Sequence, residues 1–324
     1  MIYHSPIMVE EVLELLEPGS GEIYVDGTIG GGGHALAMAR HLGRDGRIVG
    51  IDRDREALEE SAKRLSSVTP RVDLVYGDWR RIDEHLDSLG IEATHCLLLD
   101  LGVSSHQLDR PERGFSYRYE DAPLDMRMDA EAGVTAADIL NDYSQEDLSR
   151  IIATYGEERW ASRIAKFIVA RRPMRVVRDL LDAVKAAVPS SARREGPHPA
   201  RRTFQAIRME VNREMEGFEE GLMKAISSLA VGGRMAVISF HSLEDRPVKR
   251  LFRYLSMDCR CPPDLPICAC GGPVAEDLTP KPVTASARES EENPRSTSAK
   301  LRAIRITDNP TEAIMERRGG SQWR

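Results

Sequence analysis

Along the first hundred residues, short apolar runs alternate with stretches whose apolar positions recur every three or four residues. Glu22–Asp26, Arg47–Asp52, Val72–Tyr76 and His95–Asp100 are predicted as strands, and His34–Leu42 and Arg55–Leu65 as helices. Strands separated by helices and ending in acids imply βαβ units and a parallel, doubly wound α/β sheet. After Gly102 the pattern changes. Residues 110–200 hold helical pieces punctuated by Gly156, Pro173, Pro189 and Pro197-His-Pro199, with no convincing strand. One long helix is then predicted from Thr203 to Leu229, because Phe204, Ile207, Val211, Met215, Phe218, Leu222, Ile226 and Leu229 keep helical spacing throughout. It stops at Gly232-Gly233, and Arg234–Phe240 resumes the sheet. Lys281–Ile306 is expected to supply the last two strands, with Leu301–Ile306 the clearer one. A helical module of about 100 residues thus interrupts an α/β domain, and the end of the chain reads as frayed.

Composition narrows the class. With 41% hydrophobic and 30% charged residues in 324, the chain is neither disordered nor a disulfide-dense scaffold. No apolar run approaches the roughly 18 residues of a membrane span, and residues 1–20 lack the basic start and apolar core of an export signal. A cytoplasmic protein without a membrane partner is expected. The net charge of −7 conceals an asymmetry. Between Arg159 and Arg213 stand 14 basic residues against four acids, a local +10 that leaves −17 elsewhere. Such a patch on an acidic protein suits a polyanion, and its bias to Arg over Lys suits phosphate; a helical face merely solvated by arginine is the plainer alternative.

Asp26-Gly-Thr-Ile-Gly-Gly-Gly-Gly33 lies between a predicted strand and helix, where glycine permits a tight turn and close ligand approach. Asp52, at the next strand end and 22 residues after Gly30, is placed to accept both hydroxyls of an adenosine ribose. That pair fits NAD and S-adenosylmethionine alike. Three features favour S-adenosylmethionine: Asp26 opens the loop, suiting a cationic cofactor; Gly77-Asp-Trp79 follows the third strand; and Asp100-Leu-Gly-Val-Ser-Ser105 closes the fourth, at the ligand edge. Trp79 could equally be a core or rim aromatic. No phosphate-binding P-loop occurs.

These residues resemble the MraW (RsmH) family of bacterial 16S rRNA cytosine-N4 methyltransferases. The resemblance is carried by His4-Ser-Pro-Ile-Met8, Asp26–His34, Ile51-Asp-Arg-Asp54, Leu98–Asp109, Arg113-Gly-Phe-Ser116 and Pro123–Asp129. It continues through Tyr155–Arg159, His198–Arg208, Ser239–Arg246 and Asn293-Pro-Arg-Ser296. It implies a class I S-adenosylmethionine-dependent methyltransferase with an inserted all-helical domain. It implies transfer to N4 of cytidine 1402 of 16S rRNA, in the decoding region of an assembled small ribosomal subunit. Cofactor contacts are implied at Gly32, Gly33, His34, Asp52, Trp79, Asp100 and Gln107. On this reading residues 1–109 and 214–310 form the methyltransferase domain, 110–213 the rRNA-recognition insert and 311–324 the frayed tail. Trp79 stands where the family commonly has Phe, Arg201 where Thr or Lys is usual, and Ala122 where Gly is usual.

A cytosine amine is a poor nucleophile, so its methylation needs in-line positioning and an acceptor for the N–H. Asp100 is expected to be that acceptor, helped by Ser104 and Ser105; it could instead, or also, hold the methionine amino group of the cofactor. Phe115, Tyr117 and Phe240 are the aromatic candidates for stacking a flipped base. Asp125, Arg127, Arg201, Arg202 and His241 are candidate substrate contacts, although His241 equally suits a helix-capping segment. Cys96, inside the fourth strand, reads as core and not as a nucleophile. Cys259, Cys261, Cys268 and Cys270 form a C-x-C…C-x-C cluster that suits a structural zinc; free thiols or an iron–sulfur cluster are the alternatives. Rival readings are an NAD-linked oxidoreductase, which lacks a paired acid–base set here, and a catalytically silent ribosome-assembly factor. A homodimer is left open.

Overall fold

A computed structural model describes residues 6–131, 133–193, 198–261, 270–311 and 313–315. The chain forms two compact units, Met1–Gly102 with Gly217–Arg324, and Val103–Glu216. The first runs α1 (Val9–Leu16), β1 (Ile23–Asp26), α2 (Gly33–Leu42), β2 (Arg47–Asp52), α3 (Arg55–Arg64), β3 (Arg71–Tyr76), α4 (Ile82–Ser88) and β4 (Thr94–Asp100). The second unit supplies α5 (Ser105–Asp109), α6 (Ala136–Asp142), α7 (Gln145–Gly156), α8 (Ala161–Ala170), α9 (Val177–Ala187), α10 (Ser190–Arg193) and α11 (Arg201–Val211). The first unit resumes with α12 (Phe218–Ser227), β5 (Leu229–Ser239), α13 (Ser242–Leu255), β6 (Ala275–Asp277), α14 (Ala287–Glu292) and β7 (Lys300–Ile306).

The sheet order is β3-β2-β1-β4-β5-β7-β6. Neighbours among the first five strands in that order pair in parallel, and β7 runs antiparallel to both β5 and β6. This is the class I methyltransferase sheet, a Rossmann-like order with one antiparallel strand let in near the edge. Central strands covered on both faces must be apolar on both. Val25, Ile48, Val49, Ile51, Leu97, Leu98, Leu99 and Met235–Ile238 are accordingly buried. The chain leaves β1 toward β2 and β3 on one side and reaches β4 and β5 on the other, so the switch point lies between β1 and β4. In open α/β sheets the ligand crevice opens there, beyond the strand carboxyl ends.

The second unit closes its own core around Ile139, Leu148, Ile151, Ile152, Ile164, Ile168, Leu180, Val184, Phe204 and Ile207. Its apolar residues come from helices whose periodicity was legible, and they need no sheet to be covered.

Three expectations are corrected. The helix predicted over 203–229 is two helices in different units, α11 and α12, separated by turn residues 212–217. Arg213 (φ 47°) and Gly217 (φ 65°) take left-handed backbone that no continuous helix allows. Asn212 fixes the break: its side chain accepts from Met128 N (2.7 Å) and donates to Met126 O (2.8 Å). The second C-terminal strand, expected after Lys281, is instead β6, with only an isolated bridge between Val283 and Leu301. Strand β5 starts early, at Leu229, because residues 230–233 bulge between the pairs Thr94–Leu229 and Cys96–Arg234.

The unit boundaries fall at Gly102 and Gly217, which places Val103–Asp109 with the helices. Of the tail expected to fray, Ala313 and Ile314 are buried, and Ile314 N donates to Pro310 O (2.9 Å); residues 316–324 lie outside the described residues.

Replacing Asn212 (3% exposed) by Ala strips the half-buried Met128 N–H and the buried Met126 C=O of their partner. The opening free energy of the α11 amides should fall by about 2–3 kcal/mol, read by native-state hydrogen exchange. Unchanged protection would show that the Asn212 clamp does not hold the helix end.

Candidate active site

The loop after β1 is laced to both neighbouring strands. Gly27 N donates to Leu98 O (2.9 Å) and Ile29 N to Ile51 O (3.0 Å). Gly30 N donates to Asp52 Oδ2 (2.8 Å), and Asp100 N donates to Thr28 Oγ1 (2.7 Å). From beneath, Ser61 on α3 donates to Gly30 O (2.6 Å). Gly30 and Gly32 hold left-handed backbone (φ 51° and 73°), and a Cβ on Gly33 would lie 2.9 Å from the Pro6 ring. The run is therefore required by conformation and by close approach, the two demands only glycine meets together.

Three acids gather around this loop. Asp26 is 1% exposed; Tyr24 donates to its Oδ2 (2.9 Å) and Thr28 N to its Oδ1 (3.2 Å). Burial pushes its carboxyl up to about 6, against the lowering effects of His34 and of these hydrogen bonds. Asp26 thus shapes the loop from inside. Asp52 accepts from Gly30 N and from Asp54 N (2.9 Å), yet desolvation still raises it to about 6. Arg53 N also donates to this carboxylate, so three backbone N–H groups hold it at the end of β2.

Asp100 and His34 form the unfinished part. His34 Nε2 lies 3.7 Å from Asp100 Oδ2, with the two side chains 7% and 25% exposed. Asp100 Oδ1 and both ring nitrogens of His34 are buried without a hydrogen-bond partner among the described residues. An unsatisfied buried polar atom costs about 1–3 kcal/mol, so three together mark a place built for a polar ligand. The residues fit a cationic, amino-acid-bearing nucleoside: carboxylates at three strand ends, a glycine loop, and no P-loop lysine to receive a polyphosphate.

Trp79 follows β3 and is 9% exposed. Its ring stands edge-on to Phe218 at 5.5 Å, and a Cβ on Gly221 would lie 2.9 Å from its Cζ3, so much of the indole packs against α12. Asp78 is committed to Arg80 and Arg53, which hold its carboxyl below the usual range against the opposing effect of burial. Cys96 is buried, its thiol pushed up by burial and donating to Leu16 O (3.4 Å), as expected of a core residue. Sequence reasoning missed Tyr24, Thr28 and Ser61. Tyr24 sits two residues before Asp26, on the same face of β1, and Ser61 is a lone polar position four after Ala57 on the buried face of α3; both patterns were available.

At the start of the second unit, Ser104 and Gln107 form a capping box: Gln107 N donates to Ser104 Oγ (3.2 Å) and Ser104 N to Gln107 Oε1 (3.1 Å). Ser105 opens α5. Asp125 and Arg127 form a bidentate pair (2.9 and 2.8 Å). Arg201 and Arg202 are exposed at the start of α11, and Arg202 donates to Glu157 O (2.9 Å). Tyr117 is stacked on His198, with ring centroids 4.6 Å apart.

The basic run divides in two. Arg172 donates to Leu140 O and Tyr143 O, Arg208 pairs with Glu214, and Arg178 pairs with Glu120 and Asp121. Arg163, Lys166, Arg175 and Arg201 are exposed, Arg163 and Lys166 one helical turn apart on α8.

In the first unit, His241 Nε2 lies 3.1 Å from Glu244 Oε1, and Phe240 N donates to Glu244 Oε2 (2.9 Å). The neighbouring Asp245 pairs with Arg302 (2.6 Å) inside the sheet edge. His241 stands at the N-cap of α13 without a side-chain capping bond, Glu244 in the first turn holds Phe240 N, and Asp245 ties α13 to β7. The sulfurs of Cys259, Cys261 and Cys270 lie within 4.8 Å of one another; Cys268 lies outside the described residues. No helix among the described residues is long and apolar enough to cross a membrane.

The model of the MraW methylase family matches residues 1–307. Among curated relatives, a Symbiobacterium thermophilum protein named ribosomal RNA small subunit methyltransferase H is 51% identical over 306 residues, covering 93% of this chain and 96% of that one. Proteins of the same name from Heliobacterium modesticaldum (49% identical, 94% and 98% covered) and Pelobacter propionicus (52%, 93% and 97%) agree with it. With the match spanning both units and the whole of the glycine-loop edge, the chain belongs to the MraW methylase family.

Proposed function

We propose that this chain transfers the methyl group of S-adenosylmethionine to N4 of cytidine 1402 of 16S rRNA, acting in the cytoplasm on the small ribosomal subunit. The His34–Asp100 pair beside the glycine loop, whose Asp100 Oδ1 and imidazole nitrogens make no hydrogen bond among the described residues, is the observation that carries the methyl-transfer reading. The relatives' shared name supports small-subunit rRNA as substrate. The N4 and cytidine 1402 assignments rest on the family resemblance of the motifs.

When bound, the donor supplies an electrophilic methyl on a positively charged sulfur. Asp52 would accept from the ribose hydroxyls, while Gly32, Gly33 and His34 would hold the methionine side and Trp79 the base side. Gln107, with Ser104 and Ser105, opens the insert four to seven residues beyond Asp100 in the chain. Asp100 holds an N–H of the cytosine amine through Oδ1, orienting its nitrogen toward the methyl. With the donor in place, Asp100 would accept the proton that N4 gives up on methylation and release it to water. Negative carboxylates around the loop favour the cationic donor over its neutral product, which eases product release. The exposed arginines of the insert hold rRNA phosphates, with Arg201, Arg202, Asp125, Arg127 and His241 as the candidate substrate contacts.

Calorimetry checks the donor site. Asp52→Ala should weaken S-adenosylmethionine binding by about 1.5–3 kcal/mol. Protonated Asp52 cannot accept from both hydroxyls, so binding to the free protein must expel its proton below pH 6. With the carboxyl at about 6, this group alone should lower affinity about tenfold between pH 7 and pH 5, and Asp52→Asn should make the profile shallower by that amount, leaving only the contribution of Asp26. A pH-independent wild type, or tight NAD binding without S-adenosylmethionine binding, would contradict the assignment.

Asp100→Asn should lower methyl transfer to small-subunit RNA at saturating donor by about 10²-fold or more. Near-normal turnover would place the proton acceptor elsewhere.

Replacing Arg163, Lys166, Arg175 and Arg201 by Glu should weaken rRNA binding and reduce the slope of log affinity against log salt by about 0.7 for each lost phosphate contact. An unchanged slope would return these side chains to a purely solvating role.

A further inference from the structure

Between Leu255, the last residue of α13, and Val274, none of the described residues is buried. Those described residues add nothing to an apolar core, yet the segment links α13 to β6, the outermost strand of the sheet. Two features bring its ends together. Val274 N donates to Leu255 O (3.0 Å), and Arg260 reaches across the segment. Arg260 donates from its guanidinium to Gly272 O and to Cys270 O (2.7 Å), and from its backbone N to Cys270 Sγ (3.1 Å). After Cys270 the chain turns through two successive left-handed residues, Gly271 (φ 71°) and Gly272 (φ 85°). These contacts bring the sulfurs of Cys259, Cys261 and Cys270 within 4.8 Å of one another, although eight residues separate Cys261 from Cys270.

We propose that Cys259, Cys261 and Cys270 bind a zinc ion that staples the α13–β6 connection, a structural site separate from methyl transfer. Three thiol sulfurs are a soft donor set, which selects zinc or another thiophilic metal and disfavours magnesium and calcium. Thiolates about 2.3 Å from a tetrahedral zinc stand about 3.8 Å apart, so the trio needs to close by only about 1 Å. Binding converts each thiol to a thiolate and releases its proton to water. Arg260 suits the resulting excess of negative charge twice over: its cation lies beside the cluster, and its backbone N–H already points at a ligand sulfur, the outer-shell contact that orients metal-bound thiolates. The exposure of Cys259 allows the metal to enter from solvent.

The test uses the full chain purified under reducing conditions in buffer without chelator, with zinc supplied during growth. Elemental analysis should find about one zinc per chain, and the Cys259→Ser/Cys261→Ser/Cys270→Ser variant should retain less than about a tenth of that. Cobalt added to the metal-stripped chain should give the intense visible bands of tetrahedral thiolate coordination, saturating at one equivalent. Stripping the metal should speed amide exchange at least about tenfold in residues 256–261 and 270–274 and leave β1, β2 and β4 unchanged. Zinc content no higher than in the triple variant, cobalt spectra without thiolate charge transfer, or purified iron in place of zinc would each overturn the proposal. The exchange readout on the unaltered chain keeps the test valid should the triple variant fold poorly.

Discussion

Two hydrogen bonds tie the strand-end acids Asp52 and Asp100 to the glycine loop. Gly30 N–H reaches the Asp52 carboxylate, and the Thr28 hydroxyl receives Asp100 N–H, so one loop is fixed at once to the end of β2 and the end of β4. Without the first, the Asp52 carboxylate would lose its direct tie to the loop backbone. Without the second, Asp100 would lose its bearing on the loop that leads into His34. The sheet order makes both bonds reachable, because β1 lies between β2 and β4 and the loop leaves from its end. The glycines follow from this geometry: a chain pinned on two sides over so few residues must pass through left-handed backbone.

Such an edge is electrostatically expensive before it binds anything. Asp26 and Asp52 are both raised to about 6 by burial, whereas in an unfolded chain each would titrate near 3.8. The folded protein therefore holds more protons between those values, and these two groups destabilise it progressively as pH rises through that window, with the full cost present above about 6. A cationic ligand reverses the penalty, since it favours the ionised carboxylates that folding alone disfavours. A site of this kind should bind its positively charged donor better than the neutral product, which is the direction that turnover requires. The buried Asp245–Arg302 pair shows the contrasting case. There the partner is part of the protein, and the carboxyl is held below the usual range despite desolvation.

Much of the sheet could be read from the chain because parallel central strands leave an unambiguous pattern: apolar runs that end in Asp26, Asp52 and Asp100. What the sequence hid depends on contacts between distant residues or on local winding that mimics a helix. Residues 212–217 keep turning, so the apolar spacing of α11 continues into α12 in phase, and only the left-handed Arg213 and Gly217 betray the break. Strand β6 is three residues long with one buried side chain, too short to show alternation. The His34–Asp100 pair joins positions 66 residues apart that only the sheet order brings together. The basic run was visible as charge, but not its division. Arg172 is drawn to carbonyls about thirty residues earlier in the chain and Arg178 to acids further back still, which leaves a smaller set of exposed cations without such partners in view of solvent than the raw charge count suggests.

The central claim is that this edge methylates a cytosine amine in small-subunit rRNA. The most direct measurement is mass mapping of 16S rRNA nucleosides after purified small subunits from cells lacking this protein are incubated with it and methyl-labelled S-adenosylmethionine. The account predicts label in N4-methylcytidine at a single position, cytidine 1402. Absence of label from the RNA of assembled and partly assembled subunits alike, or label on a ring carbon, would contradict it.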